Sequence, residues 1–362
     1  MTHVQSRIPN LTIGIDLGDR LSRIAQVDAA GNEVRSEAIA TTPQAVRTYF
    51  EAIPSARVVM EAGTHSPWVS REIAALGHEV IVGNPSEMYG KVGGRGKRRR
   101  CKKRNDKLDA SFLARQGRAD VSLLYPIRHR SEKTQADLEL LRGRDKLVQV
   151  RTKLVNHVRG AVKSYGFRLV RSSTPAFPRR ALENIPEALR PALEPVTQVI
   201  TDLTKRIDAF DEILQQRINE EYPQAKQVQQ IKGVGPITAL AFVLLVDDPN
   251  RFSDSRDVGA YFGLVPQLDE SSDSEPQLGI TKAGDELGRR LLVSAAHYIL
   301  GPFGPECDLR RHGLAICARG GPNAKKRAAV AVARKLAVLM HRLWVDHTAY
   351  EPDRQAKRQR PA

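Results

Sequence analysis

Asp106 and Asp109 stand three residues apart, directly after Lys97–Arg104 (KRRRCKKR), in which seven of eight residues are cationic. A cationic run this dense repels itself unless a polyanion neutralises it, so Lys97, Arg98, Arg99, Arg100, Lys102, Lys103 and Arg104 are candidate phosphate contacts. Asn105 is a good helix N-cap, and Asp106 and Asp109 then project from one face of the first turn. A phosphate grip leading straight into two same-face carboxylates points to metal-dependent chemistry on nucleic acid. The competing reading is an exposed basic loop followed by first-turn acids that favour the helix dipole.

The elements before this stretch decide between the two. Leu11, Ile13 and Ile15 alternate with Thr12, Gly14 and Asp16, the pattern of a strand ending in a carboxylate. Arg23–Asp28 and Glu33–Ala40 flank a turn and form a hairpin. Pro43–Ile53 has helical spacing, and Arg57–Met60 is a short apolar strand ending at Glu61. Ser66-Pro67 reads as an N-cap with proline at N1, opening a helix to Leu76 that Gly77 closes. Glu79–Val82 is a further strand, and a helix runs from Asp106 to about Gln116. The order βββαβαβα, with Glu79–Val82 as its last strand, describes an open mixed sheet covered by helices. Sites in such sheets form outside the strand ends. Asp16, Glu61, Asp106 and Asp109 would then meet at one sheet edge and hold a pair of Mg²⁺ ions about 4 Å apart. Hard oxygen ligands without a His or Cys cluster favour Mg²⁺ or Mn²⁺ over zinc.

Composition sets the partner class. A net charge of +16 over 362 residues, at pI near 10, points to nucleic acid first and to an anionic membrane surface second. Nothing approaches the ~20 apolar residues of a membrane span, and the N-terminus lacks a signal-peptide core. Cys101, Cys307 and Cys317 are too few and too scattered for a disulfide framework or a zinc site. A cytoplasmic, nucleoid-associated prokaryotic protein is expected.

IGIDLG, VVMEAGTH and KRNDKLDA, in that order and spacing, resemble the RuvC-like (RNase H-like) domain of the DEDD transposases of the insertion-sequence-110 family. The resemblance implies that Asp16, Glu61, Asp106 and Asp109 are the family's metal-holding acids. Asp19 falls outside the matched positions and reads as a turn residue.

Beyond Arg128 the pattern changes. Leu138, Leu141, Val158 and Val162 belong to a first long helical run, with a cationic face that includes Arg142, Arg144 and Arg151. In a second run Leu193, Val196, Ile200, Leu203, Ile207, Phe210 and Leu214 alternate three and four apart, the a/d spacing of a coiled-coil seam. Two such helices form an antiparallel pair or an oligomerising arm, and the cationic face could also track phosphates. Gln230–Leu240 carries the Gly233-Val-Gly235-Pro turn of a helix-hairpin-helix, whose backbone N–H groups can approach a phosphate closely.

Tyr261–Arg290 is a polar loop of serines opening into a basic helix, and its composition alone says surface loop. GLVP, a serine, then PQLGITKAGD resemble the C-terminal transposase domain of the same family, where a serine five residues after the proline attacks DNA phosphate. The count from Pro266 reaches Ser271. Ser272 stands where the family carries glycine, which leaves it the second candidate nucleophile. No histidine adjoins Ser271. Lys282 and His297 are candidate helpers, with His297 expected to pack into an alanine-rich helix, and activation is expected from the Mg²⁺ of the first domain. Lys325–Trp344 reads as a basic amphipathic helix.

The expected layout is a RuvC-like α/β catalytic domain (1–125), a helical coiled-coil or oligomerisation region (126–222), a mainly α transposase domain with helix-hairpin-helix and serine loop (223–348), and a tail (349–362). The resemblance implies a DNA transposase and recombinase acting on double-stranded donor and target DNA. It further implies guidance by a structured RNA from the element, and the coiled-coil stretch suits a homodimer or homotetramer. Two alternatives make opposite predictions. A junction-resolving nuclease using carboxylates alone would still cut with alanine at 271, and a non-catalytic nucleic-acid-binding protein would lose only affinity on Asp16→Ala.

Overall fold

The structure, a computed structural model, describes residues 10–88, 106–267 and 278–354, and of residues 106–108 the backbone only. The basic run Lys97–Arg104, the Asp106 side chain and Ser271–Ser274 lie outside the described residues. The chain divides into two compact units, one ending at Arg130 and the other beginning at Ser131.

In the first unit, β1 (Thr12–Asp16), β2 (Leu21–Val27) and β3 (Glu33–Ala40) form an antiparallel meander. Helix α1 (Pro43–Glu51) then crosses to β4 (Arg57–Glu61), and α2 (Ser66–Ala75) crosses to β5 (Glu79–Gly83). Both β4 and β5 are parallel to β1, so the sheet order is β3-β2-β1-β4-β5. This is the open mixed sheet that the sequence pattern predicts. A short α3 (Pro85–Met88) and the longer α4 (Asp106–Ala119) complete the unit.

Strand alternation assigns the two faces. Ile13, Ile15, Val58 and Met60 pack with Val46, Phe50, Val69 and Ile73 of α1 and α2. Gly14 and Val59, one residue out of phase, face α4, and Val59 packs with Leu113 of α4 and with Leu124 just beyond it. One helix start differs from expectation. His65 is the N-cap of α2, and Ser66 is its first residue, its hydroxyl bonded to Gly63 instead of capping.

The second unit is helical. Helices α5 (Glu132–Ser164) and α7 (Arg190–Glu220) run antiparallel, because Asp137 meets Tyr222, Arg144 meets Asp211 and Arg151 meets Thr204. Leu193, Ile200, Ile207 and Leu214 are buried at seven-residue steps. The seam is thus closed inside the chain by α5 and by α6 (Phe177–Leu182), with Val158, Val162, Phe177 and Ala181 around Leu193 and Ile200. Much of the cationic face proposed for phosphates has protein partners: Arg144 pairs with Asp211, and Arg142 with Glu139 and Asp285.

Helices α8 (Pro223–Val228), α9 (Pro236–Val246), α10 (Asp257–Tyr261), α11 (Glu286–Leu300), α12 (Asp308–Ala318) and α13 (Ala324–Asp346) form the largest core. Every residue of α9 from Ala239 to Val246 is buried, which makes it the central helix. Helix α13 buries Val332, Ala333, Leu336, Ala337 and Met340 on one face, as its spacing predicts.

A polar network around the buried Asp137 and Tyr222 ties the start of α5 to the end of α7. Asp137 accepts from the Tyr222 hydroxyl and from Lys133 Nζ (2.9 Å), and Glu221 pairs with Lys133 and Arg217. Burial alone would raise the Asp137 carboxyl, but the Tyr222 and Lys133 hydrogen bonds outweigh it and hold it below its ordinary value. A depressed carboxyl contributes stability above its unfolded pKa of about 3.9 and loses it as pH falls through the folded value. Asp137→Asn should therefore cost about 2–3 kcal/mol at pH 7. The gap from the parent should close toward pH 3, read by thermal unfolding across that range. A constant gap would contradict this.

Candidate active site

The three described acids reach one end of the sheet because of how α4 lies on it. A Cβ built on Gly14 would sit 1.9 Å from the Ala110 carbonyl oxygen, and one on Gly117 would sit 2.2 Å from Val59 Cγ2. Two glycines, one in β1 and one in α4, therefore let helix and sheet approach without side chains between them. The Arg57 guanidinium, nearly buried, fixes the far end by donating to the Gly117 carbonyl (3.0 Å) and to both Glu79 oxygens (2.9 and 3.1 Å). The C-terminal end of α4 thus lies at the start of β4, and its N-terminal end lies toward the strand ends.

Asp16 follows Gly14 by two residues and Glu61 follows Val59 by two, so both acids face α4. They sit on neighbouring parallel strands, each directly after the Ile15–Met60 pair. Asp109 precedes Ala110, the residue whose carbonyl abuts Gly14. Asp16, Glu61 and Asp109 are all partly buried. Asp106 lies one turn earlier on α4, with its carboxylate outside the described residues. Among the described residues, no three His, Cys, Asp or Glu side chains form a ready metal-holding group. The donor set that the sheet delivers is nevertheless all carboxylate, the chemistry that a hard divalent cation takes. Asp19 is exposed in the turn after β1, 3.6 Å from His65 Nε2, in keeping with its reading as a turn residue.

The loop after Glu61 is pinned by a pair that sequence reasoning missed. The buried Ser66 hydroxyl accepts from the Gly63 N–H, bonds the Gly63 carbonyl, and meets His129 Nε2, each at 2.9 Å. A neutral imidazole protonated on Nε2 satisfies all three bonds. His129 is held below its ordinary pKa by burial and by the charges of Arg71 and Arg130, which favours that neutral form. The two residues are 63 apart in the chain, and no local pattern joins them.

In the second unit the serine segment is anchored at its base. Pro266 and Ile280 form an antiparallel bridge, with Gln267 N–H donating to Gly279 and Thr281 N–H to Val265, both at 2.9 Å. Beneath it the two motifs interlock through backbone. A Cβ on Gly263 (φ +65°) would meet the Ala283 carbonyl at 2.3 Å, and one on Gly284 (φ +74°) the Tyr261 carbonyl at 2.0 Å. FGLVP and ITKAGD are thus two halves of one clasp that holds both ends of residues 268–277. Ser271 and Ser272 lie in that segment, outside the described residues. Lys282 is exposed on the clasp with φ +54°. His297 is exposed on α11, so the expectation that it packs is wrong: the neighbouring Ala295 and Ala296 take the buried face.

The Gly233–Gly235 turn joins α8 to α9. Gly233 (φ +103°) packs against Ile299 and Tyr298 of α11, with Ile299 Cγ1 2.9 Å from an added Cβ, whereas Gly235 faces open space. Gly233 therefore has a packing reason of its own.

The first unit is a mixed α/β domain with its sheet covered by helices, as in a DEDD-type transposase domain. Residues 13–167 match the DEDD_Tnp_IS110 transposase model, and residues 225–306 match the Transposase IS116/IS110/IS902 family. The chain is 28% identical to the transposase for insertion sequence element IS1111A of Coxiella burnetii, over 93% of this chain and 90% of that protein. It is also 28% identical to the transposase for insertion sequence element IS1328 of Yersinia enterocolitica, over 80% of this chain and 84% of that protein. The chain belongs to the IS110-type insertion-sequence transposases and is an enzyme acting on DNA. Among the described residues no helix is long and apolar enough to cross a membrane.

Proposed function

We propose that this transposase cuts and rejoins DNA with two sets of groups, the carboxylates of the first unit and a serine of the second. The observation that carries the reading is the glycine-mediated seating of α4 on β1 and β4, which brings Asp109 to the strand ends bearing Asp16 and Glu61. With Asp106 these acids would hold Mg²⁺ or Mn²⁺. A bound ion would neutralise charge developing on a phosphate and lower the pKa of a coordinated hydroxyl.

Ser271 is the nucleophile in this reading, supported by its place in the clasped segment and its count from Pro266. Its Oγ forms a bond to a DNA phosphorus while the bond to one sugar oxygen breaks. The serine proton leaves to a base, and the departing sugar oxygen takes up a proton. The phosphate diester persists as a serine ester, so a second sugar hydroxyl can displace the serine without external energy. This suits strand exchange better than hydrolysis. Lys282, exposed on the clasp, and the Gly233–Gly235 turn would contact phosphates, as would the Lys97–Arg104 run.

A structured RNA from the element would pair with donor and target DNA, and the charge of +16 suits such a partner. Exchange at two DNA sites calls for a homodimer or homotetramer. The test is to incubate the protein with element-end DNA, guide RNA and Mg²⁺, denature, and separate cut from protein-linked DNA. Wild type should give both, and Ser271→Ala neither. Cutting that survives in Ser271→Ala would favour the carboxylate-only nuclease.

A further inference from the structure

A groove of about 1270 Å³ lies between α12, α13 and the serine clasp in the second unit. Its lining holds eight arginines and lysines against three acids, and one of those acids, Asp308, is already paired with Arg311. Arg256, Arg319, Lys326, Arg334, Lys335 and Arg342 are exposed, and none forms an ion pair among the described residues. Their charge is felt locally: burial, then Lys335 and Arg319, hold His312 in the wall below its ordinary pKa. Lys326 to Arg342 spans roughly 24 Å of helix at 1.5 Å per residue. The floor between the cations is apolar, with Leu264, Leu278, Ile280, Val330 and Leu339.

Each property narrows the occupant. Ligand pockets run to about 1,000 Å³ and are mostly apolar, so a groove this large and cationic suits a polyanion. The chain's own residues 355–362 carry Lys357, Arg358 and Arg360 with no acid, so their charge has the same sign as the rim and does not complement it. A duplex offers a surface its phosphates and leaves an apolar floor uncovered, whereas a single strand can lay sugars and bases there while phosphates meet the rim. Both arms of the serine segment, Pro266 on one side and Leu278–Ile280 on the other, form part of the wall. Helix α13 lies beyond the residues matched by either family model, 13–167 and 225–306.

We propose that this groove is a binding site for single-stranded DNA, holding the strand on which the serine segment acts. The strand's identity as DNA rests on the function proposed above, and the groove's affinity for a polyanionic strand does not.

The test uses the full chain and fluorescein-labelled, mixed-sequence single-stranded DNA of ~20 nucleotides, longer than the 4–16 such grooves cover. Binding is read by anisotropy across a salt series, with single-stranded RNA and duplex DNA of equal length as further arms. Lys326→Ala/Lys335→Ala/Arg342→Ala should lower single-strand affinity ten- to a hundred-fold and reduce the salt slope by about 2, at roughly 0.7 per phosphate. A charge-keeping variant (Lys326→Arg/Lys335→Arg/Arg342→Lys) should bind as wild type. An unchanged slope in the alanine variant, a loss confined to RNA or duplex, or an equal loss in the charge-keeping variant would each overturn the proposal. Ser271→Ala should bind normally yet form no protein-linked DNA. If it links DNA while the alanine variant loses binding, the serine chemistry fails and the groove stands.

Discussion

Gly14→Val is expected to lift α4 off the sheet and abolish strand cleavage. The first added carbon would lie 1.9 Å from the Ala110 carbonyl and 2.6 Å from the Ala114 nitrogen, both backbone atoms that no side-chain rotation can move. Overpacking typically costs 1–3 kcal/mol, and a rigid helix backbone on one side puts this site at about 3 kcal/mol or more. Asp109 precedes Ala110, so any lift of the helix carries its carboxylate with it. A misplacement of ~1 Å at a reacting centre costs on the order of 10²-fold in rate. Thermal unfolding and cleavage of element-end DNA should fall together. Gly160→Ala, where an added Cβ meets nothing within 4 Å inside α5, is the control and should gain up to about 1 kcal/mol. Wild-type stability and cleavage in Gly14→Val would mean that the helix is not seated this way.

Asp16→Asn and Glu61→Gln separate chemistry from folding. Each keeps the side chain's shape and removes its charge at the last residue of a strand, where both groups are only partly buried. Melting temperatures should stay close to wild type while Mg²⁺-dependent cleavage falls at least ~10³-fold. DNA binding should persist, which distinguishes this outcome from that of a non-catalytic binder. The double variant should be little worse than either single one, because groups that hold one ion act as a unit. Cleavage within tenfold of wild type in either single variant would remove these acids from the site.

The strands, their order along the chain and the acids that end β1 and β4 were legible because alternation marks a half-buried strand at short range. The seam of α7 was equally legible, but a heptad pattern does not say whose surface fills it. Here α5 and α6 of the same chain do, and Arg144 and Arg142 spend charge on Asp211 and Asp285 that the pattern offered to phosphates. The glycine contacts Gly14–Ala110 and Gly284–Tyr261 were invisible because a glycine's close approach depends on which distant backbone it meets. Ser66 and His129 escaped for the same reason. Helix α9, apolar on every side, has no amphipathic period to read. The clasp was recognisable by resemblance as two motifs, but only the fold joins them into one base for the serine segment.

The most direct measurement is mass spectrometry of the protein–DNA adduct after exhaustive nuclease and protease digestion. With Mg²⁺ present, a nucleotide should be found ester-linked to the peptide spanning residues 268–277, on Ser271, and it should vanish when the metal is chelated or when Asp16 is Asn. Strand cleavage with no adduct, or with the nucleotide on a residue outside that segment, would contradict the joint action of carboxylates and serine.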